Sequence, residues 1–274
     1  MYADKEIVTE SYKLSYKLYS GGERYLFLFH GFGQSSSVFE TFISYVSSEF
    51  TVISIDLFFH GKSIILDEKE NVISFETWNA IFDKLLKRYS ISRFSMLSFS
   101  IGARFIISVF QDKKSAVDSI VLIAPDGFGN NIWFTIATST IITRSVFKWS
   151  LSNPAIIRFL TGTFNFLGIT DSVTKRFIEK NIETTEQRTK IYNTWVYFRM
   201  LKMPAKQFIE ELNSSDVKLM CLVGMNDELV AKENIRKICM KTDSIFIELD
   251  YPHYKMIQAT ELIRVREFLI SNRK

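Results

Sequence analysis

The chain is poor in the residues that form cross-links or hold metals. Its 274 residues include two cysteines and three histidines, and their positions fit no ligand spacing for a metal ion. Cys221 lies in an apolar, strand-like run and Cys239 in a short helical pattern. We therefore expect two buried thiols in a reducing, cytoplasmic compartment, and we expect neither a metal nor another cofactor.

Runs of one charge and long apolar segments are also missing. The net charge is +4, and basic residues are interleaved with acidic ones, so nucleic acid is not an expected partner. The opening MYADKEIV contains an acid and no apolar stretch of signal-peptide length, so the sequence does not indicate that the protein is exported. The longest uncharged stretch, 127–143, is too short and too rich in Asn, Ser and Thr for a membrane span. We expect no stable membrane insertion.

Several short apolar runs without alternation are typical of strands buried on both faces of a parallel sheet. Before them, residues 6–20 alternate polar and apolar side chains, and Gly21-Gly22 supply a turn, so this opening predicts two antiparallel strands. The six predicted buried strands are 25–30, 51–56, 94–98, 119–124, 218–223 and 244–249.

Helical patterns lie between most of these strands, at 37–48, 75–89, 101–110, 231–240 and 257–270. Strands that alternate with helices predict an α/β fold with a mostly parallel, doubly wound sheet. We assign residues 1–126 and 215–274 to this core.

Residues 127–214 interrupt the alternation, and we interpret them as a helical insertion, a cap or lid over the sheet. Asn153-Pro154 predicts a helix start with Gly162 as its stop, and Thr184 with Gln187 has the form of a capping box before a helix that Pro204 closes. The insertion carries eleven basic and six acidic side chains, a net of +5. This charge is consistent with a solvated surface, with attraction for an anionic, amphiphilic substrate, or with peripheral contact to an anionic membrane. The sequence does not predict an oligomeric state.

A serine lies at a predicted strand-to-helix junction. The segment Ser98-Phe99-Ser100-Ile101-Gly102 has the form small-x-Ser-x-Gly, the nucleophile-elbow pattern, in which the turn forces the central serine into a strained backbone conformation. Residues two positions away on either side must be small to avoid collision. The pattern predicts Ser100 as a catalytic nucleophile.

The loop His30-Gly31-Phe32-Gly33 follows the first buried strand. Its glycines allow the backbone to turn back over the sheet, so that the amide of Phe32, together with the amide of Ile101, can point at one substrate oxygen. We predict these two amides as an oxyanion hole. We expect His30 to brace the loop by hydrogen bonding.

A base and an orienting acid for Ser100 are expected after later strands. His253 follows the last strand, and Asp227 follows the strand before it. The chain order Ser, Asp, His is the one this architecture uses. Asp126, directly after another strand, remains an alternative acid, while Asp56 and His60 are expected to be structural.

These motifs, in this order, resemble the α/β-hydrolase superfamily over nearly the whole chain, and the segment Asp56–Ser63 (DLFFHGKS) resembles the family's D-x-x-G-x-G-x-S stretch. The pattern is most similar to esterases and lipases and to relatives that cleave carbon–carbon bonds. Ser100 distinguishes the chain from the dehalogenases and epoxide hydrolases, which have aspartate there. Ser98, Phe59 and Pro252 replace residues that are commonly glycine in the family, and Pro252 is expected to restrict the approach of His253.

The resemblance implies a serine hydrolase that cleaves a carboxylic ester or related acyl bond of a small molecule. Two alternatives stay open. One is a carbon–carbon bond hydrolase or lipid acyl hydrolase with the same triad, and the other is a non-catalytic ligand-binding protein on a hydrolase scaffold.

Overall fold

The computed structural model of the chain describes residues 2–67, 72–128, 132–166, 179–227, 229–258 and 262–272. The chain divides into two compact units. The larger consists of Met1–Glu70, Ser74–Gly129 and Leu201–Lys274. The smaller consists of Asn71–Ile73 and Asn130–Met200. The insertion predicted from the sequence, 127–214, extends beyond the smaller unit at both ends.

One sheet forms the centre of the larger unit. The strands that the structure describes are β1 (Ala3–Val8), β2 (Tyr12–Tyr19), β3 (Arg24–Phe29), β4 (Phe50–Ile55), β5 (Ile64–Ile65), β6 (Phe94–Phe99), β7 (Val117–Ile123), β8 (Lys218–Gly224) and β9 (Ile245–Leu249). Their order is β1-β2-β4-β3-β6-β7-β8-β9, with β5 paired to β2. All pairs from β4 to β9 are parallel, whereas β2 is antiparallel to β1, β4 and β5. The predicted mostly parallel sheet with antiparallel N-terminal strands is confirmed.

The α-helices with described bounds are α1 (Glu40–Val46), α2 (Phe75–Arg88), α3 (Ala103–Lys113), α4 (Ile132–Thr138), α5 (Ile141–Ser152), α6 (Pro154–Phe166), α7 (Thr185–Tyr197), α8 (Ala205–Asn213), α9 (Lys232–Lys241) and α10 (Leu262–Ser271). Helices α4 to α7 belong to the smaller unit, and the others belong to the larger one.

Strand β3 shows why the strands are apolar throughout. Leu26 and Leu28 belong to a core cluster that includes buried residues of α1 and α10. Phe27, which points to the opposite face, packs on Phe82 of α2 with ring centroids 4.6 Å apart. Because successive side chains of a strand alternate between faces, each face of β3 is covered by helices, and neither face favours polar residues.

Two predicted helix ends are wrong. Helix α6 continues through Gly162 to Phe166, because one glycine within a helix costs only about 1 kcal/mol and no proline follows it there. Helix α7 ends at Tyr197, and Pro204 precedes the start of α8 rather than closing α7. Proline is tolerated at a helix start because the first amides lack intrahelical acceptors.

The smaller unit is held by helix caps and aromatic packing. The capping box predicted at Thr184 and Gln187 is confirmed, and Thr140 with Thr143 forms a second one at the start of α5. The Trp195 ring lies 5.4 Å from that of Phe134 and 5.3 Å from that of Phe147, between centroids. In the described ranges, no helix combines the length and the apolar character needed to cross a membrane.

Candidate active site

Ser100 follows β6 directly and has a φ of +51°. This φ lies in the left-handed region, which residues with a Cβ rarely adopt. The backbone is therefore strained at the residue predicted as the nucleophile. The amide of Asp126, after the neighbouring strand β7, donates to the Ser100 carbonyl oxygen at 3.1 Å. The strained turn is therefore tied to the adjacent strand end.

The residues two positions on either side of Ser100 are confined. Ser98 is completely buried. A Cβ on Gly102 would lie 2.4 Å from the carbonyl oxygen of Phe29 and 2.8 Å from that of His30. No real Cβ contact is that short, so position 102 accepts only glycine unless β3 moves.

His253 and Asp227 lie at the same edge of the sheet as Ser100, because β6, β8 and β9 are parallel and each of the three residues follows one of these strands. The His253 Nε2 atom is 3.0 Å from Ser100 Oγ. The His253 Nδ1 atom is 2.7 Å from Asp227 Oδ2. The structure thus brings together the three residues predicted as a triad, and their catalytic roles stay a prediction.

The hydrogen bonds of Asp227 indicate which atoms donate and which accept between Asp227, His253 and Ser100. Asp227 Oδ1 accepts from the amides of Leu229 and Val230 at 2.9 and 3.2 Å, and the side chain is fully buried. An ionised carboxylate only accepts hydrogen bonds, so Nδ1 of His253 carries the proton on the Asp227 side. In the neutral ring Nε2 is then an acceptor, and it faces the hydroxyl of Ser100.

The His253 ring has a further contact with Phe99, whose centroid is 5.0 Å away. This side chain directly precedes Ser100, so the nucleophile strand also positions the imidazole. Pro252 does not keep His253 away from its partners. The expected restriction is absent because Pro252 lies before the short 3₁₀ turn 253–258 and its carbonyl accepts from the Lys255 amide at 3.0 Å.

Asp126, the alternative orienting acid, is engaged elsewhere. Its Oδ2 accepts from Nε of buried Arg104 at 2.8 Å, and its Oδ1 accepts from the Gly127 amide at 2.7 Å. Desolvation acts to raise the pKa of this carboxyl, but Arg104, the Gly127 amide and the nearby His253 hold it below its usual value. Asp227, not Asp126, makes the hydrogen bond to Nδ1 of His253.

His30 braces the loop that contains Phe32, as expected. The Leu57 amide donates to His30 Nε2 at 3.0 Å, so Nδ1 carries the proton and donates to the Gly31 carbonyl at 2.7 Å. The Gly31 amide donates to Oε1 of Gln34 at 2.9 Å. Phe32 lies within this anchored turn and Ile101 directly follows Ser100, but the oxyanion hole itself stays a prediction.

We expect His30 to make the protein less stable at acidic pH. Complete burial lowers the pKa of His30 to about 4 from 6.5, although the Gly31 hydrogen bond and Asp56 act in the opposite direction. Between pH 6.5 and pH 4 the imidazole of His30 binds a proton in the unfolded chain but not in the folded one. The free energy of unfolding therefore falls as the pH drops toward 4, by up to about 3 kcal/mol. Urea unfolding at pH 7 and pH 5 measures the loss. In His30→Gln the loss should shrink, and an unchanged loss would contradict this assignment.

Asp56 and His60 have the structural roles expected for them. Asp56 accepts from the amides of Ser36 and Lys62 at 2.7 and 2.9 Å. Gly61, at a φ of +53°, packs so closely on the Asp56 carboxylate that a Cβ there would collide with it. His60 is buried, and its Nδ1 lies 3.0 Å from the Phe58 carbonyl oxygen.

Sequence reasoning missed three residues that support the site. Gln34 accepts a hydrogen bond from the Gly31 amide, and Phe99 packs on His253. Arg104 forms an ion pair with Asp126. No motif marks Gln34 or Arg104. The contact of Gln34 with Gly31 depends on how their shared loop folds, and the partner of Arg104 is 22 residues away. Phe99 lies within the elbow motif, where its proximity to the histidine could have been anticipated.

The fold is shared with solved hydrolases. A thermophilic esterase from Thermogutta terrifontis, solved with malate bound, is 15% identical with a TM-score of 0.70, over 99% of this chain and 100% of that one. A carboxylesterase from Bacillus subtilis is 15% identical with a TM-score of 0.62, over 99% and 91%. A thioesterase domain from the curacin biosynthetic pathway is 13% identical with a TM-score of 0.63, over 98% and 99%. Identities this low show the fold alone.

A comparison with curated proteins gives no significant match. The family comparison is decisive, because residues 25–254 match the model of the alpha/beta hydrolase fold. The matched region extends from β3 to just past His253 and contains every residue discussed above as part of the site. The chain belongs to the α/β-hydrolase fold family.

Proposed function

We propose that the chain is a serine hydrolase that cleaves a carboxylic ester or related acyl bond through an acyl-enzyme. The observation that carries the proposal is the continuous contact Ser100 Oγ to His253 Nε2 to Asp227, at 3.0 and 2.7 Å. A hydroxyl, an imidazole acceptor and a buried carboxylate in this order form the arrangement that activates a serine for acyl transfer.

In the first half of the reaction, Ser100 Oγ attacks the acyl carbon while its proton moves to His253 Nε2. Asp227 stabilises the imidazolium through Nδ1–H. The tetrahedral intermediate collapses when Nε2 returns the proton to the leaving oxygen, and an alcohol departs. An ester now joins the acyl group to Ser100.

In the second half, water replaces the alcohol. His253 Nε2 takes a proton from the water as its oxygen attacks the acyl carbon, and the same proton returns to Ser100 Oγ when the carboxylic acid leaves. The amides of Phe32 and Ile101 are proposed to stabilise the oxyanion in both halves. Loss of one such donor typically lowers turnover by about 10²–10³-fold.

The proposal is tested with a panel of p-nitrophenyl esters of increasing acyl length, beside a diketone substrate for carbon–carbon cleavage. We expect steady turnover of short or medium esters by the purified wild-type protein, with release of p-nitrophenolate as the readout. A preference for long acyl chains would favour a lipid acyl hydrolase. Cleavage of the diketone with no ester turnover would contradict the ester assignment, and no turnover of any substrate would favour a binding protein.

A further inference from the structure

The first half of the smaller unit combines apolar composition with charge of one sign. Between Asp126 and Asp171 the sequence contains no acidic residue, and its only charged side chains are Arg144, Lys148 and Arg158. A surface helix usually carries acidic and basic residues on its solvent side. This segment therefore lacks the composition that keeps an ordinary helical surface in water.

Helix α5 exposes a cluster of large apolar side chains. Ile141 and Ile142 are each 75% exposed, and Val146 and Trp149 are each 58% exposed. Ile142, Val146 and Trp149 are spaced i, i+4 and i+7, so they share one helix face. Single exposed apolar residues are ordinary, but a contiguous group of this size marks an interaction surface.

Two exposed cations lie near this apolar face in the sequence. On α5, Lys148 directly precedes Trp149 and is exposed, with its Nζ 5.6 Å from the centroid of the Tyr192 ring. On α6, exposed Arg158 is adjacent to Phe159, which is 72% exposed. Exposed Trp, Ile and Phe side chains, with Lys and Arg near them and no acidic residue in the segment, are the composition found where helices lie in the interface of an anionic membrane.

We propose that the exposed face of α5, extended by Arg158 and Phe159, docks on the surface of an anionic lipid bilayer. The helix would lie in the interface with Ile142, Val146 and Trp149 below the headgroups and with Lys148 and Arg158 against lipid phosphates. A second copy of the chain fits this face less well. A two-fold contact would bring cations against cations, with no acidic residue of the segment to pair them. The inference concerns a surface of the smaller unit and is independent of the proposed reaction.

Co-sedimentation with vesicles tests the proposal. We expect the full chain to bind mixed phosphatidylcholine and phosphatidylglycerol vesicles at least about tenfold more tightly than pure phosphatidylcholine vesicles, with binding that weakens as salt rises. The Trp emission should shift to the blue on binding, and Trp149→Phe should lose most of the shift.

The variant Ile142→Asp tests the proposed docking face in a protein that should still be folded. Position 142 is exposed and lies in the first turn of α5, where an acidic residue is compatible with the helix dipole, so the variant should fold normally. We expect it to bind the mixed vesicles about tenfold or more weakly. The matched control is Met240→Asp, which removes a 78% exposed apolar side chain from α9 in the larger unit and should leave binding unchanged.

Three results would overturn the proposal. The first is equal binding by wild type and Ile142→Asp. The second is equal affinity for the neutral and the mixed vesicles. The third is self-association, measured by sedimentation equilibrium, that Ile142→Asp abolishes in a chain that binds no vesicles, which would assign the face to a second copy.

Discussion

Ser100→Ala should lower kcat for p-nitrophenyl esters by about 10⁵–10⁶-fold, close to the loss that removal of the nucleophile causes in well-studied triad enzymes. The reason is geometric. Ser100 Oγ is held 3.0 Å from His253 Nε2 at the end of a strained turn, and alanine at this position has no atom that can form the acyl-enzyme. Steady-state assays with the purified variant measure the loss of kcat, and far-UV circular dichroism checks that the variant is folded.

Ser98→Ala is the matched control. Ser98 lies two residues before Ser100 and is also buried, and its hydroxyl has no hydrogen-bond partner among the described residues. Removal of this hydroxyl should leave kcat within a few fold of wild type. If Ser98→Ala and Ser100→Ala lost activity equally, or if neither did, Ser100 could not be the nucleophile.

Asp227→Asn should lower kcat by about 10⁴-fold while the protein stays folded. The asparagine oxygen can still accept from the amides of Leu229 and Val230, which directs its NH₂ group toward His253 Nδ1. An NH₂ group donates, so the imidazole must place its own proton on Nε2. That tautomer cannot accept the proton of Ser100, and the pH–rate profile should change together with kcat.

Asp126→Asn distinguishes the two candidate acids. Asp126 accepts hydrogen bonds from Arg104 and from the Gly127 amide, so its substitution should reduce stability, because a buried guanidinium loses one charged partner. Its kcat should fall much less than that of Asp227→Asn. A larger loss of kcat in Asp126→Asn than in Asp227→Asn would assign the orienting role to Asp126 instead.

Much of the fold could be predicted because strands buried on both faces leave a plain signature. The run 94–98 predicts β6, which the structure extends to Phe99, and 218–223 predicts β8, which ends at Gly224. The helix end predicted at Gly162 was wrong because a single glycine costs a helix little. The end predicted at Pro204 was wrong because a proline also fits the start of the next helix.

The sequence predicts which three residues meet at the candidate site, but it does not predict the contacts that support them. Ser100, Asp227 and His253 each follow a strand of one parallel sheet, and parallel strands bring their carboxyl ends to one edge, so the sequence implies that the three residues share that edge. The contact of Gln34 with Gly31 could not be predicted, because it depends on how a loop folds. The choice between Asp126 and Asp227 likewise required the position of Arg104 on α3.

Covalent labelling shows whether Ser100 is an activated nucleophile, on which the proposed reaction depends. The wild-type protein is treated with a fluorophosphonate, and the modified peptide is identified by mass spectrometry. We expect one adduct per chain on Ser100, much slower labelling of Asp227→Asn, and no adduct at this position in Ser100→Ala. An unlabelled wild-type protein, or an adduct on another residue that persists in Ser100→Ala, would contradict the proposed role of Ser100.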